Sequence, residues 1–204
     1  MAAVSPVLRA PGLAFGPNRA VVLDPAAAAG REAEVAASGV ARVEDGFSVL
    51  DLAPHGFAVA FENTVMARAP GPAGAPPAGI APVADADGLA RAEATLIEAF
   101  WRTWRPGEIL PPGARDTPGW TTWISEDGGG TVTSFDDGRT LGIYWLGVLE
   151  AARSRGLGRA LMTAALAGRA VARPVVLSST VQGRPLYASL GFEALGTATW
   201  WARQ

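Results

Sequence analysis

Residues 141–149, Leu-Gly-Ile-Tyr-Trp-Leu-Gly-Val-Leu, contain no alanine in a chain where 41 of 204 residues are alanine. The run is strongly apolar and has the length of a buried strand. It leads into Arg153-Ser-Arg-Gly-Leu-Gly158, and a helical pattern begins at once, with Leu161, Met162, Ala165 and Leu166 as its apolar stripe. Gly156 and Gly158 let the backbone approach a ligand closely. The free N–H groups of the helix start, helped by the helix dipole, suit an anion. Arg153, Arg155 and Arg159 add positive charge, so the natural ligand is a phosphate or pyrophosphate. The loop is not a Walker A motif, because there is no lysine, and it is not Gly-x-Gly-x-x-Gly. By itself the pattern is equally compatible with a structural turn. Gly147, inside the strand, predicts a bulge or a close backbone contact.

Composition narrows the chemistry. With alanine set aside, 59 hydrophobic side chains remain, enough for one or two compact units. There is no cysteine, no lysine and a single histidine, His55. Disulfides, cysteine-based metal sites, cysteine nucleophiles, Schiff-base lysines and histidine clusters are therefore excluded, and no metal is expected. Seventeen basic residues meet 19 acidic ones, without the basic excess of a nucleic-acid binder. Six arginines and one acid lie between positions 150 and 184, whereas ten acids and four arginines lie between 85 and 137. The first segment suits an anion, and the second weakly favours a cation. No targeting segment or apolar run long enough for a bilayer is evident, so a cytoplasmic protein is expected.

A Pro/Gly/Ala linker at 69–78 separates an N-terminal part, 1–68, from a C-terminal part, 79–204. The N-terminal part predicts a strand at 19–24, one helix over 25–38, and strands at 40–43, 47–52 and 57–67. The C-terminal part predicts a strand at 80–83 and a helix capped by Asp85 and running to about Trp104. An irregular stretch, 105–119, follows. Three antiparallel strands come next, at 120–125, 131–135 and 141–149, joined by hairpin turns. The glycine loop and a helix to 168, a strand at 174–179, a short helix at 183–190 and a last strand at 193–202 complete the order. The shared order suggests that 1–68 is a degenerate partial repeat of the rest.

The loop Arg153-x-x-Gly156-x-Gly158 and the downstream Leu186-Tyr187-x-x-x-Gly191-Phe192, at their mutual spacing, resemble the GNAT superfamily of acyl-CoA-dependent N-acetyltransferases. The resemblance spans 79–204. It implies an α/β (α+β) GNAT fold: a mixed central sheet with a splayed fourth strand and flanking helices, here with an N-terminal β/α extension. It implies acetyl-CoA as co-substrate. The backbone of Leu146 and Val148 would hold the acetyl carbonyl and pantetheine arm. The amides of Arg153, Ser154, Arg155, Gly156, Leu157, Gly158 and Arg159 would hold the pyrophosphate. Tyr187 would protonate the departing thiolate.

The chain also departs from the family pattern. Thr180 stands where many members have Asn, and Gly142 where many carry a Glu base. Glu98, Glu108, Asp116 and Glu126 are base candidates by segment only, and direct attack by a neutral amine needs none. Trp101, Trp104, Trp120 and Trp123 lie in or beside the region that shapes the acceptor pocket in the resembled family, so an aromatic-lined acceptor site is one reading and core packing the favoured one. Tyr144 has the parity to face the same way as Gly142. One of Trp200 and Trp201 is expected in the core, and His55 in a surface loop. The implied function is acetyl transfer to a primary amine of a small molecule or peptide. A homodimer is compatible with this, and neither nucleic acid nor membrane is an expected partner. A non-catalytic acyl-CoA-binding or regulatory module and a nucleotide phosphate-binding fold stay open as alternatives.

Overall fold

The structure, a computed structural model, describes residues 7–10, 19–100, 103–167 and 172–204. The chain forms two compact units. The first comprises Met1–Met66, Ser178–Arg184 and Ala194–Gln204, and the second Ala67–Leu177 and Pro185–Glu193.

In the first unit, strands β1 (Val7–Ala10), β2 (Arg19–Val22), β3 (Arg42–Asp45), β4 (Phe57–Arg68) and β10 (Glu193–Arg203) lie in the order β1-β2-β3-β10-β4. β2 and β3 are parallel, and β10 is antiparallel to β3, so the sheet is mixed. The core joins Ala20, Val22, Val35, Val40, Val43, Leu50, Leu52, Phe57 and Trp201. Trp201 is thus the core member of the tryptophan pair. Trp200 is half-buried and stacks on Phe61, with ring centroids 4.8 Å apart. His55 closes a half-exposed 3₁₀ turn, Ala53–His55.

Three expectations for this unit are corrected. β1 was not foreseen. The helix expected over 25–38 is two helices, α1 (Pro25–Ala28) and α2 (Glu32–Ala37), parted at Gly30, whose φ of 79° no helix contains. Residues 47–52 form no strand. The fully buried carboxylate of Asp45 accepts the N–H groups of Phe47 (3.2 Å) and Leu50 (2.8 Å), coiling the segment into a loop. Its apolar alternation reflects Leu50 and Leu52 plugging the core rather than a pleat.

The second unit holds β5 (Ile80–Pro82), α3 (Ala86–Ala99), β6 (Trp120–Ser125), β7 (Gly130–Asp136), β8 (Leu141–Val148), α4 (Leu157–Leu166) and β9 (Val175–Ser179). The strand order is β9-β8-β7-β6-β5, antiparallel from β5 to β8 and parallel between β8 and β9. The short helix α5 (Arg184–Ala188) precedes β10. The elements expected across 120–149 form close to their foreseen bounds. Asp85 caps α3 through Gly88 N–H at 2.7 Å, as its position implies. Helix α3 ends at Ala99, earlier than expected, because Phe100 leaves helical geometry at φ −132°. Helices α3 and α4 cover opposite faces. A Cβ on Gly147 would meet Leu96, Ala99 and Phe100, whereas one on the adjacent-row Gly130 would meet Leu157 and Leu161.

A buried carboxylate that the sequence did not flag fixes the region after α3. Glu93, 4% exposed, accepts N–H bonds from Gly107 (2.7 Å), Ile109 (2.8 Å) and Leu110 (3.0 Å). Ile109 and Leu110 thereby join Leu89, Ala92, Leu96 and Ile124 in the core on this face. Losing the carboxylate strands three donors, two of them on buried residues. Glu93→Ala should cost about 3 kcal/mol in urea unfolding, with Glu93→Gln losing less because one amide oxygen still accepts.

Candidate active site

β8 changes character halfway. It pairs with β9 only from Leu141–Val175 to Ile143–Leu177. On its other side, Thr133 faces Tyr144 while Thr131 faces Gly147, so β8 carries one extra residue there. Trp145 occupies the irregularity at φ 49°, a left-handed conformation unusual for a bulky side chain. The strand bends, and residues 144–148 form no register with β9. Leu146 and Val148 both lie on this parted stretch, half-buried.

The chain then turns through a 3₁₀ segment, Glu150–Ala152, into α4. Arg153 Nε donates to the Val148 carbonyl at 3.2 Å. Ser154 (φ 63°) and Gly156 (φ 79°) reverse the chain, and Gly156 is the left-handed N-cap of α4. No side chain caps this end and no acid sits in its first turn. The N–H groups of Leu157, Gly158 and Arg159 thus begin the helix without the partners helix starts usually recruit. A groove of about 430 Å³ opens beside them, lined by Ala78, Ile80, Glu126, Asp127, Arg155 and Gly156 among others. Arg153 and Arg155 are exposed. Arg159 is drawn aside, its Nη2 donating to Ser189 Oγ at 2.6 Å. Asp127, across the groove, is held below the usual carboxylate range by the Ser125 hydroxyl and the Gly129 N–H, with a smaller contribution from Arg155. Arg169 lies outside the described residues.

Tyr187, on α5, is half-buried and packs edge-on to Phe192 at 6.0 Å. Burial pushes its phenol up to about 12. The Phe192 N–H donates to the Tyr187 carbonyl at 3.1 Å, locking the Tyr-x-x-x-Gly-Phe turn. Leu186 closes the other side, its Cδ2 standing 3.3 Å from where a Gly158 Cβ would be. The glycine loop and the Tyr187 segment are thereby packed together. Thr180 accepts at its hydroxyl from Gly183 N–H and at its carbonyl from Arg184 N–H, so it starts α5.

The carboxylates foreseen as bases are scattered. Glu108 accepts from Arg105 N–H, Asp116 pairs with Arg115, Glu126 borders the groove beside α4, and Glu98 borders a separate pocket with Phe100, Leu149 and Arg153. At Gly142, a Cβ would stand 2.6 Å from the Tyr144 hydroxyl and Cε2. The phenol ring therefore fills the space a side chain there would use. Tyr144 stacks on Trp120, centroids 6.0 Å apart and planes 15° from parallel, and Trp145 meets Trp120 edge-on at 6.4 Å. Trp104, Trp120 and Trp145 pack on the α3-side core. Trp123 lies half-buried on β6, with opposite parity to Trp120, and Trp101 lies outside the described residues. Among the described residues, no cluster of three or more potential metal ligands occurs, and no helix is long and apolar enough to cross a membrane.

Residues 118–194 match the family model described as an acetyltransferase (GNAT) domain. That stretch is similar to a GNAT acetyltransferase domain. Solved structures of the same fold include a GNAT-family acetyltransferase from Novosphingobium aromaticivorans, 21% identical, TM-score 0.68, covering 100% of this chain and 91% of that one. A GCN5-related N-acetyltransferase from Kribbella flavida is 21% identical with a TM-score of 0.61, covering 91% and 80%. A tandem GNAT protein from the clavulanic acid biosynthesis pathway is 14% identical with a TM-score of 0.54, covering 90% and 74%. No curated protein sequence matches the chain. The GNAT fold expected from the two motifs is the fold observed, an open mixed sheet with flanking helices.

The Gly142–Tyr144 contact is testable. In Gly142→Ala the ring must leave Trp120, costing about 1 kcal/mol of stacking and altering the near-ultraviolet circular dichroism, with far-ultraviolet spectra unchanged.

Proposed function

We propose that the chain transfers the acetyl group of acetyl-CoA to a primary amine of a small molecule or peptide. The observation that carries this reading is the start of α4, capped by no side chain, following the stretch of β8 that leaves register with β9. The N–H groups of 153–159 fit a pyrophosphate, with Arg153 and Arg155 supplying charge. The backbone of Leu146 and Val148 offers a strand edge to an amide-bearing pantetheine arm. Arg153 Nε donates to the Val148 carbonyl, a bond it would give up if the pantetheine arm used that edge.

Acetyl-CoA supplies the activated thioester, and the balanced reaction converts it and an amine into the N-acetyl amide and the free thiol. The amine nitrogen forms the new C–N bond as the C–S bond breaks, and it loses one proton. Tyr187 donates a hydrogen bond, and then its proton, to the departing sulfur, and the proton lost by the amine restores the phenol through solvent. A phenol pushed up to about 12 by burial stays protonated throughout the neutral range, so the donor is always present. With no carboxylate at position 142, the acceptor reacts in its neutral form. Direct transfer asks the protein mainly to align two reactants. A non-catalytic acyl-CoA-binding module is the second reading, favoured by Gly142 and Thr180 standing where many family members have Glu and Asn.

A thiol-release assay with acetyl-CoA and an amine panel separates the readings. Turnover supports the first, and thermal stabilisation by CoA without thiol release supports the second. Stabilisation by ATP but not CoA would support a nucleotide site instead. Tyr187→Phe should lose kcat by about 10²-fold with the Kd for acetyl-CoA kept; unchanged kcat removes Tyr187 from the chemistry. The rate kcat/KM should rise with pH along the acceptor amine's own titration and show no alkaline decline by pH 10. The sign for stability is opposite. A phenol whose folded value lies above the unfolded one near 10 contributes fully below pH 10, and the contribution fades as pH rises toward 12. Tyr187→Phe should flatten that alkaline loss in pH-dependent unfolding.

A further inference from the structure

We propose that Arg153 is a latch that selects the acyl donor: its guanidinium closes the Val148 carbonyl while the site is empty, and a pyrophosphate draws it off. The inference rests on the acetyl-transfer reading and says which thioesters the site accepts. A donor that carries both a pantetheine arm and a pyrophosphate is favoured over one that carries the arm alone.

The direction of the Val148 carbonyl follows from the ladder. Neighbouring residues of an antiparallel strand alternate the side to which their N–H and C=O groups point. Leu149 N–H donates to the Gly129 carbonyl at 2.9 Å, toward β7, and Val148 stands opposite Gly130. Val148 therefore turns its carbonyl away from β7, to the side on which β9 leaves register. That is the carbonyl an amide of the pantetheine arm would use, and Arg153 Nε already donates to it at 3.2 Å. The side chain reaches it by folding back over the turn Glu150–Ala152, with Arg153 N–H tied to the Glu150 carbonyl at 3.2 Å. While the Nε bond stands, the guanidinium occupies the approach of that amide.

The helix start is within reach of the same side chain. A Cβ on Gly158 would stand 3.9 Å from Val148 Cγ2, so the strand end and the first turn of α4 adjoin. Arg153 is exposed, and a pocket of about 320 Å³ beside it leaves the guanidinium room to move. Glu98 and Glu150 on the wall of that pocket disfavour an anion there, so the charge that attracts Arg153 arrives at the helix start instead. The Val148 carbonyl is a neutral acceptor. A pyrophosphate offers full negative charge and a bidentate fit to the guanidinium fork. A donor with both parts thus replaces a weaker bond of Arg153 by a stronger one. A donor without pyrophosphate breaks the weaker bond and leaves Arg153 with no new partner. The loss of one such hydrogen bond weakens that donor about two- to tenfold.

The test is a calorimetric titration of the unaltered protein, Arg153→Ala and Arg153→Met with CoA and with pantetheine, which needs no acceptor. Both changes remove the donor, and the second keeps an apolar stem in place of the side chain. Each variant should bind pantetheine about two- to tenfold more tightly than the unaltered protein does. Each should bind CoA about tenfold more weakly. Opposite signs for the two ligands are the signature of a latch, since a residue that only attracts phosphate leaves pantetheine binding untouched. Pantetheine affinity that is unchanged or lower in either variant overturns the proposal, as does CoA affinity that does not fall. Pantetheine that binds none of the three forms overturns it too. CoA that fails to bind the unaltered protein sinks the acetyl-transfer reading and the latch with it. CoA binding and thiol release in the unaltered protein, with pantetheine affinity indifferent to Arg153, sink the latch alone.

Discussion

The parting of β8 from β9 after Ile143 is the constraint on which the site depends. A parallel pair normally continues until one strand ends. Here Trp145, at φ 49°, adds a residue to β8 against β7 and turns the strand away. A bulky residue in that conformation is held only where its surroundings over-determine it. The surroundings are visible: its indole packs edge-on to Trp120 and on the core that Leu89, Leu96 and Ile109 build. Strain in one backbone torsion is thus supported by aromatic packing, and the loss of register with β9 is the product.

The same core explains why α3 and the loop after it matter to a site they do not form. Leu96 and Phe100 press against Gly147, and Glu93 pins Ile109 and Leu110 against the same layer. The strand edge is therefore backed by a packed face and presented rigidly. On the opposite face, Leu157 and Leu161 of α4 close on Gly130, which fixes where the uncapped helix start points. Pre-positioning of this kind suits a reaction whose energy comes from the thioester and whose protein mainly holds two partners in line.

Much of the second unit was legible in the chain. The alternation and hairpin turns of 120–149, the Asp85 cap and the glycine loop before α4 are local signals, and local geometry obeys them. The two motifs that resemble the GNAT superfamily are legible for the same reason, because each is a short backbone device. The first unit was less legible. Its loop at 47–52 is ruled by a buried Asp45 that pairs with backbone nearby, and its alternating Val49, Leu50 and Leu52 imitate a strand. Glu93 is not legible in the sequence, because a carboxylate in an amphipathic helix looks solvated until the loop that it holds is known.

The sequence by itself determined the element order of the second unit, a helix start suited to an anion and the absence of cysteine, lysine and histidine-cluster chemistry. These follow from residue identity and spacing within one or two turns of chain. Only the tertiary structure decided what replaces the carboxylate at Gly142. The ring of Tyr144 lies there because Trp120, 24 positions earlier, stacks beneath it. Contacts between strands depend on register and on a bulge, and neither is written in the spacing of any single segment.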